Sequence, residues 1–150
     1  MTHVDPLAVT GSLRHGGRYN IPGEFAALYA SIDEETARAE VTRGVSRRGI
    51  DPGSYAPKSW AGYEIEVHLA AVLDLTDVGV LERLGVDVGA LTDDNLGVPR
   101  SLGAEARAAG YDGLIVPSAA VSGGRNLVIF LDRCAHRPVV IGSRLLDRLS

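Results

Sequence analysis

Two continuous apolar stretches, Leu114-Ile115-Val116 and Leu127-Val128-Ile129-Phe130-Leu131, decide the fold of this chain. Neither stretch alternates with polar residues, and both are bounded by Gly, Pro or Asn. Such runs are typical of strands that are buried on both faces. We therefore predict that these two strands belong to the core sheet of the protein.

The first third of the chain predicts a strand followed by a helix. Leu28-Tyr29-Ala30-Ser31 has the length and apolar character of a short strand. Ser31 and Glu34 have the spacing of a capping box, and Asp33 is an alternative N-cap. A helix should therefore begin at this point and continue to about Val45.

The middle of the chain predicts one more strand region and a short helix. Apolar and polar residues alternate from Tyr63 to Leu69, which indicates a half-buried strand that Ala71-Val72-Leu73 continues or pairs with. Asp77 then offers an N-cap for a short helix. The side chains that this helix should direct inward are Val80, Leu81 and Leu84.

The remaining segments divide into loops, one helix and a last strand. Residues 1–13 are expected to be a loop that wraps the body, and residues 89–99 also have a loop composition. The alanine-rich stretch 102–109 predicts a helix that ends at Gly110. Residues 139–141 predict a final strand.

The order of these elements favours the α+β class. Strands outnumber helices, and several strands follow one another without a helix between them, so a doubly wound sheet is disfavoured. The chain has 150 residues and shows no repeat or low-complexity tract, which indicates a single domain over residues 1–150. Residues 14–150 should form its body.

Composition and motif content exclude several classes of protein. The net charge of −4 argues against broad binding to nucleic acid or anionic membranes, and one cysteine, Cys134, excludes an internal disulfide. We expect a soluble cytoplasmic protein without a membrane partner. The histidines are scattered, so no metal site is expected. The glycine motifs of NTPases, Rossmann enzymes and serine hydrolases are also absent from the sequence.

Three features place chemistry-bearing residues within one short region. The first is the run Arg14-His15-Gly16-Gly17-Arg18-Tyr19-Asn20. Its two glycines allow the backbone to approach a ligand closely, and an arginine follows them directly. Tyr29 lies in the first predicted strand, and Glu40 lies on or beside the inward stripe of the helix that follows. A carboxylate in that position faces a polar cleft, pairs with an arginine, or lies at the flank of the stripe and reaches water. The residues of this helix expected to point to solvent are Arg38, Thr42 and Arg43.

Taken together, these pieces resemble the RES domain, a family named for its arginine, glutamate and serine. The likeness extends in order over nearly the whole chain. The matching pieces are Gly16-Gly17-Arg18-Tyr19-Asn20 with Gly23, Leu28-Tyr29-Ala30-Ser31, Glu35 to Glu40, Trp60, Tyr63-Glu64, Val72-Leu73-Asp74-Leu75, and Gly113 to Ser118 followed by Asn126.

The resemblance implies a fold similar to ADP-ribosyltransferases, with a mixed β core flanked by short helices. It further implies a toxin of a bacterial type II toxin–antitoxin pair that cleaves the nicotinamide–ribose bond of NAD+, which is a substrate and not a cofactor. The implied partner is an Xre-type helix-turn-helix antitoxin whose tail blocks the cleft. DNA would be contacted only through that antitoxin, and the resemblance also allows a homodimer within the complex.

The resemblance assigns roles to individual positions. The catalytic group would consist of Arg18, Tyr29, Glu40 and Ser118. The NAD-binding group would consist of Arg14, Gly17, Arg18, Tyr19, Asn20, Tyr29, Ser101 and Asn126. Glu40 would bind the 2′-hydroxyl of the nicotinamide ribose, and Tyr29 would stack on the nicotinamide ring.

Several alternatives stay open at this point. Many relatives carry an arginine upstream of the glycine pair, which Arg14 replaces here unless the phosphate anchor differs. The family serine is Ser118 or Ser101. The acceptor of the ADP-ribosyl group is water, phosphate or a protein, and the last case would make the chain an ADP-ribosyltransferase. A non-catalytic module that only binds the antitoxin is the alternative to an enzyme.

Overall fold

The computed structural model describes residues 5–149 and confirms the α+β class. Its core is a four-stranded sheet with the order β1-β5-β4-β3. The strands of this sheet are β1 (Leu28–Ser31), β3 (Val72–Asp74), β4 (Gly113–Pro117) and β5 (Arg125–Ile129). β5 is antiparallel to both β1 and β4, whereas β3 runs parallel to β4.

The two apolar stretches that begin at Leu114 and Leu127 supply the two central strands of this sheet, β4 and β5. β4 and β5 pair in register from Gly113 opposite Ile129 to Pro117 opposite Arg125. Leu114 and Val128 face each other in this pair, and neither has solvent-accessible surface. Burial on both faces is the reason that these strands carry apolar runs instead of an alternating pattern.

A second sheet consists of two strands, β2 (Trp60–Glu66) and β6 (Val139–Leu146). The prediction that residues 71–73 continue or pair with the strand from Tyr63 is wrong, because β2 pairs with β6, and β3 belongs to the core sheet. The predicted last strand is confirmed and extends to Leu146. We call this pair of strands the ribbon.

Helices flank the core sheet. They are α1 (Thr10–His15), α2 (Glu34–Arg47), α3 (Val78–Leu84), α4 (Val88–Thr92) and α5 (Gly97–Ala108), with short 3-10 turns at Pro52–Ser54 and Leu131–Arg133. Of the two candidate N-caps for α2, Asp33 is the one used, because its side chain accepts a hydrogen bond from Thr36 N–H. Asp77 caps α3 as predicted.

Three helix predictions need correction. Residues 10–15 form α1 although residues 1–13 were expected to be a loop, and residues 1–4 of that segment lie outside the described part of the chain. Residues 89–99 were also expected to be a loop, but they contain most of α4 and the first turn of α5. Pro99 fits there because the first turn of a helix needs no N–H donor. Leu84, expected to face inward on α3, is exposed.

The close packing of α5 against the N-terminal loop positions the candidate site. Gly103 lies so close to the carbonyl oxygen of Tyr19 that a β-carbon at this position would overlap it. Tyr19, Phe25 and Phe130 belong to the same buried cluster under this helix. No helix among residues 5–149 has the length and hydropathy needed to cross a bilayer.

Candidate functional site

The Gly16-Gly17 pair forms a tight loop that packs against Tyr29. Gly16 has a φ of +71°, and a β-carbon there would also meet Pro22 and the Asn20 carbonyl. A β-carbon on Gly17 would lie 2.5 Å from Tyr29 Oη. Both positions therefore require glycine, and the loop backbone lies directly against the tyrosine ring.

Tyr29 is held at its hydroxyl end and open at its ring. Its Oη donates to Asn20 Oδ1 at 2.6 Å and accepts from the Tyr19 N–H at 3.0 Å. Burial of the hydroxyl raises the pKa of Tyr29 to about 12, so the group stays a neutral donor at physiological pH. The residue is still 39% exposed, which leaves ring surface for a ligand.

The side chains of Tyr19 and Asn20 lie inside the protein. Tyr19 is 1% exposed within the core, and burial raises the pKa of its hydroxyl. The Asn20 Nδ2 group donates to the carbonyl oxygens of Ser12 and Phe25. Both side chains therefore fix the shape of the glycine loop from within, and the prediction that Tyr19 and Asn20 bind NAD+ can apply only to their backbone.

Glu40 and Ser118 meet at the end of β4. Ser118 Oγ donates to Glu40 Oε1 at 2.5 Å, and the Ala120 N–H reaches the same oxygen at 3.3 Å. Ser118 Oγ in turn accepts from the N–H groups of Ala120 and Val121 at 3.0 and 3.1 Å. Within residues 5–149, both hydrogen bonds that the carboxylate accepts engage Oε1, which leaves Oε2 for a ligand.

Packing of α2 against the loop after β4 creates this contact. Thr36 is buried on the same helix, and a β-carbon at Gly124 would lie 2.9 Å from its Oγ1. The glycine therefore allows the loop to approach α2 closely. Glu40 follows Thr36 by four residues, so it lies one turn along the same face and points at Ser118.

Three further predicted site residues, Asn126, Ser101 and Arg14, lie on other elements of the fold. Asn126 is opposite Ser31 across β1 and β5, and its Oδ1 accepts from Ser31 Oγ at 2.7 Å. Ser101 is exposed on α5, so Ser118 is the serine that contacts the glutamate. Arg14 is exposed in the last turn of α1.

Arg18 lies in a pocket that is rich in arginine. Its Nη1 donates to the carbonyl oxygens of Leu91 and Asp93 at 3.3 and 2.6 Å, at the end of α4. The pocket has a volume of about 290 Å³. Its lining residues are Gly16, Gly17, Arg18, Arg43, Arg47, Asp94, Leu96 and Arg100. We call this cavity the arginine pocket.

Three of these arginines were not recognised from the sequence. Arg43 was expected to point to solvent, but it lines the pocket, because Glu40, Arg43 and Arg47 have the i, i+3, i+7 spacing of one helix face. That spacing is the signal that could have identified Arg43 and Arg47. Arg100 joins them through the unexpected first turn of α5, and its Nε donates to the Gly17 carbonyl at 3.0 Å.

The opposite face of α2 is covered by the C-terminal segment. Arg38 Nη1 donates to the Arg148 carbonyl, and Thr42 Oγ1 to the Leu149 carbonyl at 3.5 Å. The expectation that Arg38 and Thr42 point to solvent is therefore wrong. Within residues 5–149, no group of three or more His, Cys, Asp or Glu side chains could hold a metal ion.

Comparison with known proteins identifies relatives of this chain. The chain is 36% identical over 118 residues to a probable NAD(+) phosphorylase of Mycobacterium tuberculosis strain H37Rv, and this match covers 79% of the chain and 55% of that protein. It is 29% identical over 136 residues to the NAD(+) phosphorylase MbcT of Mycobacterium bovis, covering 91% of the chain and 72% of MbcT. The chain thus spans about half the length of the first relative.

A solved structure has the same fold. The Mycobacterium tuberculosis MbcT-MbcA toxin-antitoxin complex contains a chain that matches with a TM-score of 0.82 and 25% identity, over 96% of this chain and 79% of that one. The RES domain family matches residues 2–147, which is nearly the full length. This chain therefore belongs to the RES domain family.

Proposed function

We propose that this protein cleaves the bond between nicotinamide and ribose in NAD+, transfers the ADP-ribosyl group to inorganic phosphate, and acts as the toxin of a toxin–antitoxin pair. The observation that carries the proposal is the Glu40 carboxylate, which Ser118 holds by one oxygen while the other is left for a ligand. The names of the relatives, NAD(+) phosphorylases, support phosphate as the acceptor.

The reaction needs stabilisation of positive charge more than it needs an acid. The bond from C1′ to the pyridinium nitrogen breaks with its electron pair going to nitrogen, so nicotinamide leaves as a neutral molecule. Positive charge then develops on the ribose, as in other glycosyl transfers. The free oxygen of Glu40 would accept a hydrogen bond from the ribose 2′-hydroxyl and bring negative charge close to this cation.

Arg18 and Tyr29 would bind the two halves of the nicotinamide nucleotide. Nη1 of Arg18 is engaged by carbonyl oxygens of the protein, so the rest of its guanidinium is the part that we assign to a phosphate. The exposed ring of Tyr29 would stack on nicotinamide at an angle fixed by its hydroxyl contacts. Gly17 would border the ligand through its backbone, and Asn126 would support the loop that carries Ser118.

The acceptor completes the reaction. A phosphate oxygen would form a bond to C1′ as the bond to nicotinamide breaks, and the products would be ADP-ribose 1-phosphate and nicotinamide. Phosphate already carries the negative charge of a nucleophile, so this route needs no additional base to remove a proton from water. Depletion of NAD+ by this reaction would arrest growth of the cell.

An antitoxin is the partner that we propose for this protein. The solved neighbour is part of a complex described as MbcT-MbcA toxin-antitoxin, and this supports an antitoxin as the protein partner. We further propose an Xre-type antitoxin that makes the DNA contacts, with its tail in the cleft, a cytoplasmic location, and a homodimer of toxin within the complex.

The test measures nicotinamide release from NAD+ by the purified full chain, with and without inorganic phosphate. We expect release that depends on phosphate, with ADP-ribose 1-phosphate as the second product. The Glu40→Gln variant should lose at least about 100-fold in rate, because the charge near the ribose is removed. Glu35→Gln alters an exposed carboxylate on the same helix and serves as the matched control.

Other products would overturn parts of the proposal. Free ADP-ribose in the presence of phosphate would replace phosphorolysis with hydrolysis. Labelled protein in a cell extract supplied with labelled NAD+ would indicate an ADP-ribosyltransferase. If Glu40→Gln and the parent release nicotinamide at equal rates, the role of Glu40 is wrong.

A further inference from the structure

The arginine pocket carries four positive charges and one negative charge. Arg18, Arg43, Arg47 and Arg100 line it together with one carboxylate, that of Asp94. Asp94 Oδ1 lies 2.8 Å from Arg47 Nη1 and 3.7 Å from Arg43 Nη2, and its side chain is largely exposed. The chain as a whole has a net charge of −4, so this cluster of arginines is a local exception. The four guanidinium groups repel one another, and an anion bound between them would reduce that repulsion.

The arginines come from three separate elements that meet only in the folded protein. Arg18 belongs to the glycine loop, Arg43 and Arg47 to the last two turns of α2, and Arg100 to the first turn of α5. Arg100 is fixed by its bond from Nε to the Gly17 carbonyl, and Arg18 by its bonds to the end of α4. Two of the four guanidinium groups are thus anchored before any ligand arrives.

The end of α5 adds to the positive potential. Leu96, the N-cap of this 12-residue helix, lines the pocket and supplies no side-chain cap. Partial positive charge accumulates at a helix N-terminus and favours phosphate groups there. The volume of about 290 Å³ lies at the lower end of ligand sites, which suits one or two phosphate groups better than a whole dinucleotide.

We propose that Arg43, Arg47 and Arg100 complete, with Arg18, a binding site for a phosphate group. The forked guanidinium matches phosphate oxygens in pairs, and several such groups around one cavity give charge-assisted hydrogen bonds from different directions. The pocket lies next to residues of the proposed cleavage site: Gly17 contacts both Arg100 and Tyr29, and Arg43 follows Glu40 by one turn of α2.

Two sources of phosphate fit this site, and the identification of either one rests on the proposed function. One is the pyrophosphate of NAD+, and the other is the inorganic phosphate that would attack the ribose. Binding of the phosphate group itself does not depend on catalysis. The first experiment therefore measures binding alone, and the second assigns the source.

The binding experiment uses the full chain without NAD+, so that no turnover occurs, in isothermal titration calorimetry at constant ionic strength. Pyrophosphate and inorganic phosphate are the two probes, and chloride is the background anion. Arg43→Gln and Arg47→Gln should each weaken binding about tenfold, the effect of losing one charge-assisted hydrogen bond. Arg48→Gln, at the exposed C-cap of α2 outside the pocket, should leave binding unchanged.

The kinetic experiment uses Arg47→Gln in the otherwise unaltered chain. A higher KM for inorganic phosphate with an unchanged KM for NAD+ assigns the site to the acceptor. A higher KM for NAD+, with no change in the KM for nicotinamide riboside, assigns the site to the pyrophosphate, because nicotinamide riboside lacks phosphate. The proposal is overturned if neither probe binds the parent above the chloride background, or if the Arg43 and Arg47 variants bind both probes as tightly as the parent. Such a failure would leave nicotinamide release, and hence the proposed function, intact.

Discussion

Ser118 connects the reacting carboxylate to the backbone of the loop that follows β4. Its hydroxyl donates to Glu40 Oε1 and accepts from two N–H groups, so one small side chain fixes the direction of the carboxylate. No other hydroxyl contacts Glu40 among residues 5–149. We therefore treat Ser118 as a positioning residue that acts through Glu40.

Replacement of Ser118 by alanine should lower kcat and leave the KM for NAD+ nearly unchanged. The carboxylate would lose its strongest hydrogen bond and turn away from the ribose, which we expect to cost about 10-fold to 100-fold in kcat. The two N–H groups left without the hydroxyl would lower the free energy of unfolding by about 1–2 kcal/mol. Steady-state kinetics and urea denaturation measure the two effects separately.

Ser118→Thr keeps the hydroxyl and is the conservative control. It should recover most of the kcat that the alanine variant loses. Equal kcat values for the alanine variant and the parent would contradict the positioning role. A loss confined to the KM would instead make Ser118 a direct ligand of NAD+.

At the scale of elements, the sequence predicts the parts whose signals are local. Burial on both faces predicts β4 and β5, and a side-chain cap predicts the start of α2 to within a few residues. Contacts between distant segments carry no such signal. An alanine at position 103 would favour the helix by propensity, yet the carbonyl of Tyr19 forbids a β-carbon there.

The candidate site divides in the same way. Glu40 could be predicted because the resemblance to a known family fixes its position in the sequence. The resemblance leaves Ser118 and Ser101 open as the family serine, and of these two Ser118 is the one that contacts Glu40 in the structure. The contribution of Arg100 could not, because it depends on α5 beginning at Gly97 and on the packing of its first turn against the Gly17 carbonyl. The pairing of the two ribbon strands escaped prediction because β2 and β6 are more than 70 residues apart along the chain.

The ion pair between Arg107 on α5 and Asp132 should make stability depend on pH. The guanidinium hydrogen bonds of Arg107 hold the pKa of Asp132 below its usual range. A carboxylate whose pKa is depressed by folding stabilises the protein above the pKa of the unfolded chain, about 3.9, and that contribution is lost as the pH falls through the folded value. Asp132 is half-exposed, so solvent limits the contribution to less than about 1 kcal/mol.

Asp132→Asn should therefore lower the free energy of unfolding at pH 7 by less than about 1 kcal/mol. The difference between the variant and the parent should shrink as the pH falls below about 4, where the parent also loses the charge. Urea denaturation at a series of pH values measures it. An equal difference at all pH values would show that the charge of Asp132 contributes nothing.

At the scale of the whole molecule, the ribbon and the core sheet differ in how they are stabilised. Two isolated strands are marginal in water, so the ribbon depends on contacts with the body. Those contacts include the ion pair of Arg144 with Glu34, and the segment after β6 adds the buried side chain of Leu149. A groove of about 900 Å³ separates much of the ribbon from β1 and α2.

Hydrogen exchange should therefore show that the ribbon opens at a lower free energy than β4 and β5. Leu149 is 4% exposed, and its carbonyl accepts from Thr42 on α2, so Leu149→Ala removes apolar contact between the C-terminal segment and the body. We expect this variant to lower the opening free energy of the ribbon by about 2 kcal/mol. Leu145→Ala alters a leucine of β6 that is 60% exposed and should change that value by no more than a few tenths of a kcal/mol.

The exchange pattern separates local opening from global unfolding. If the ribbon opens by itself, Leu149→Ala should speed exchange at the amides of β2 and β6 and leave the slowest amides of β4 and β5 nearly unchanged, because these exchange only through an opening of the core sheet. If all six strands accelerate equally, the ribbon and the core unfold as one unit. The two-sheet description of stability would then be wrong, and the groove would not be a place where the molecule opens.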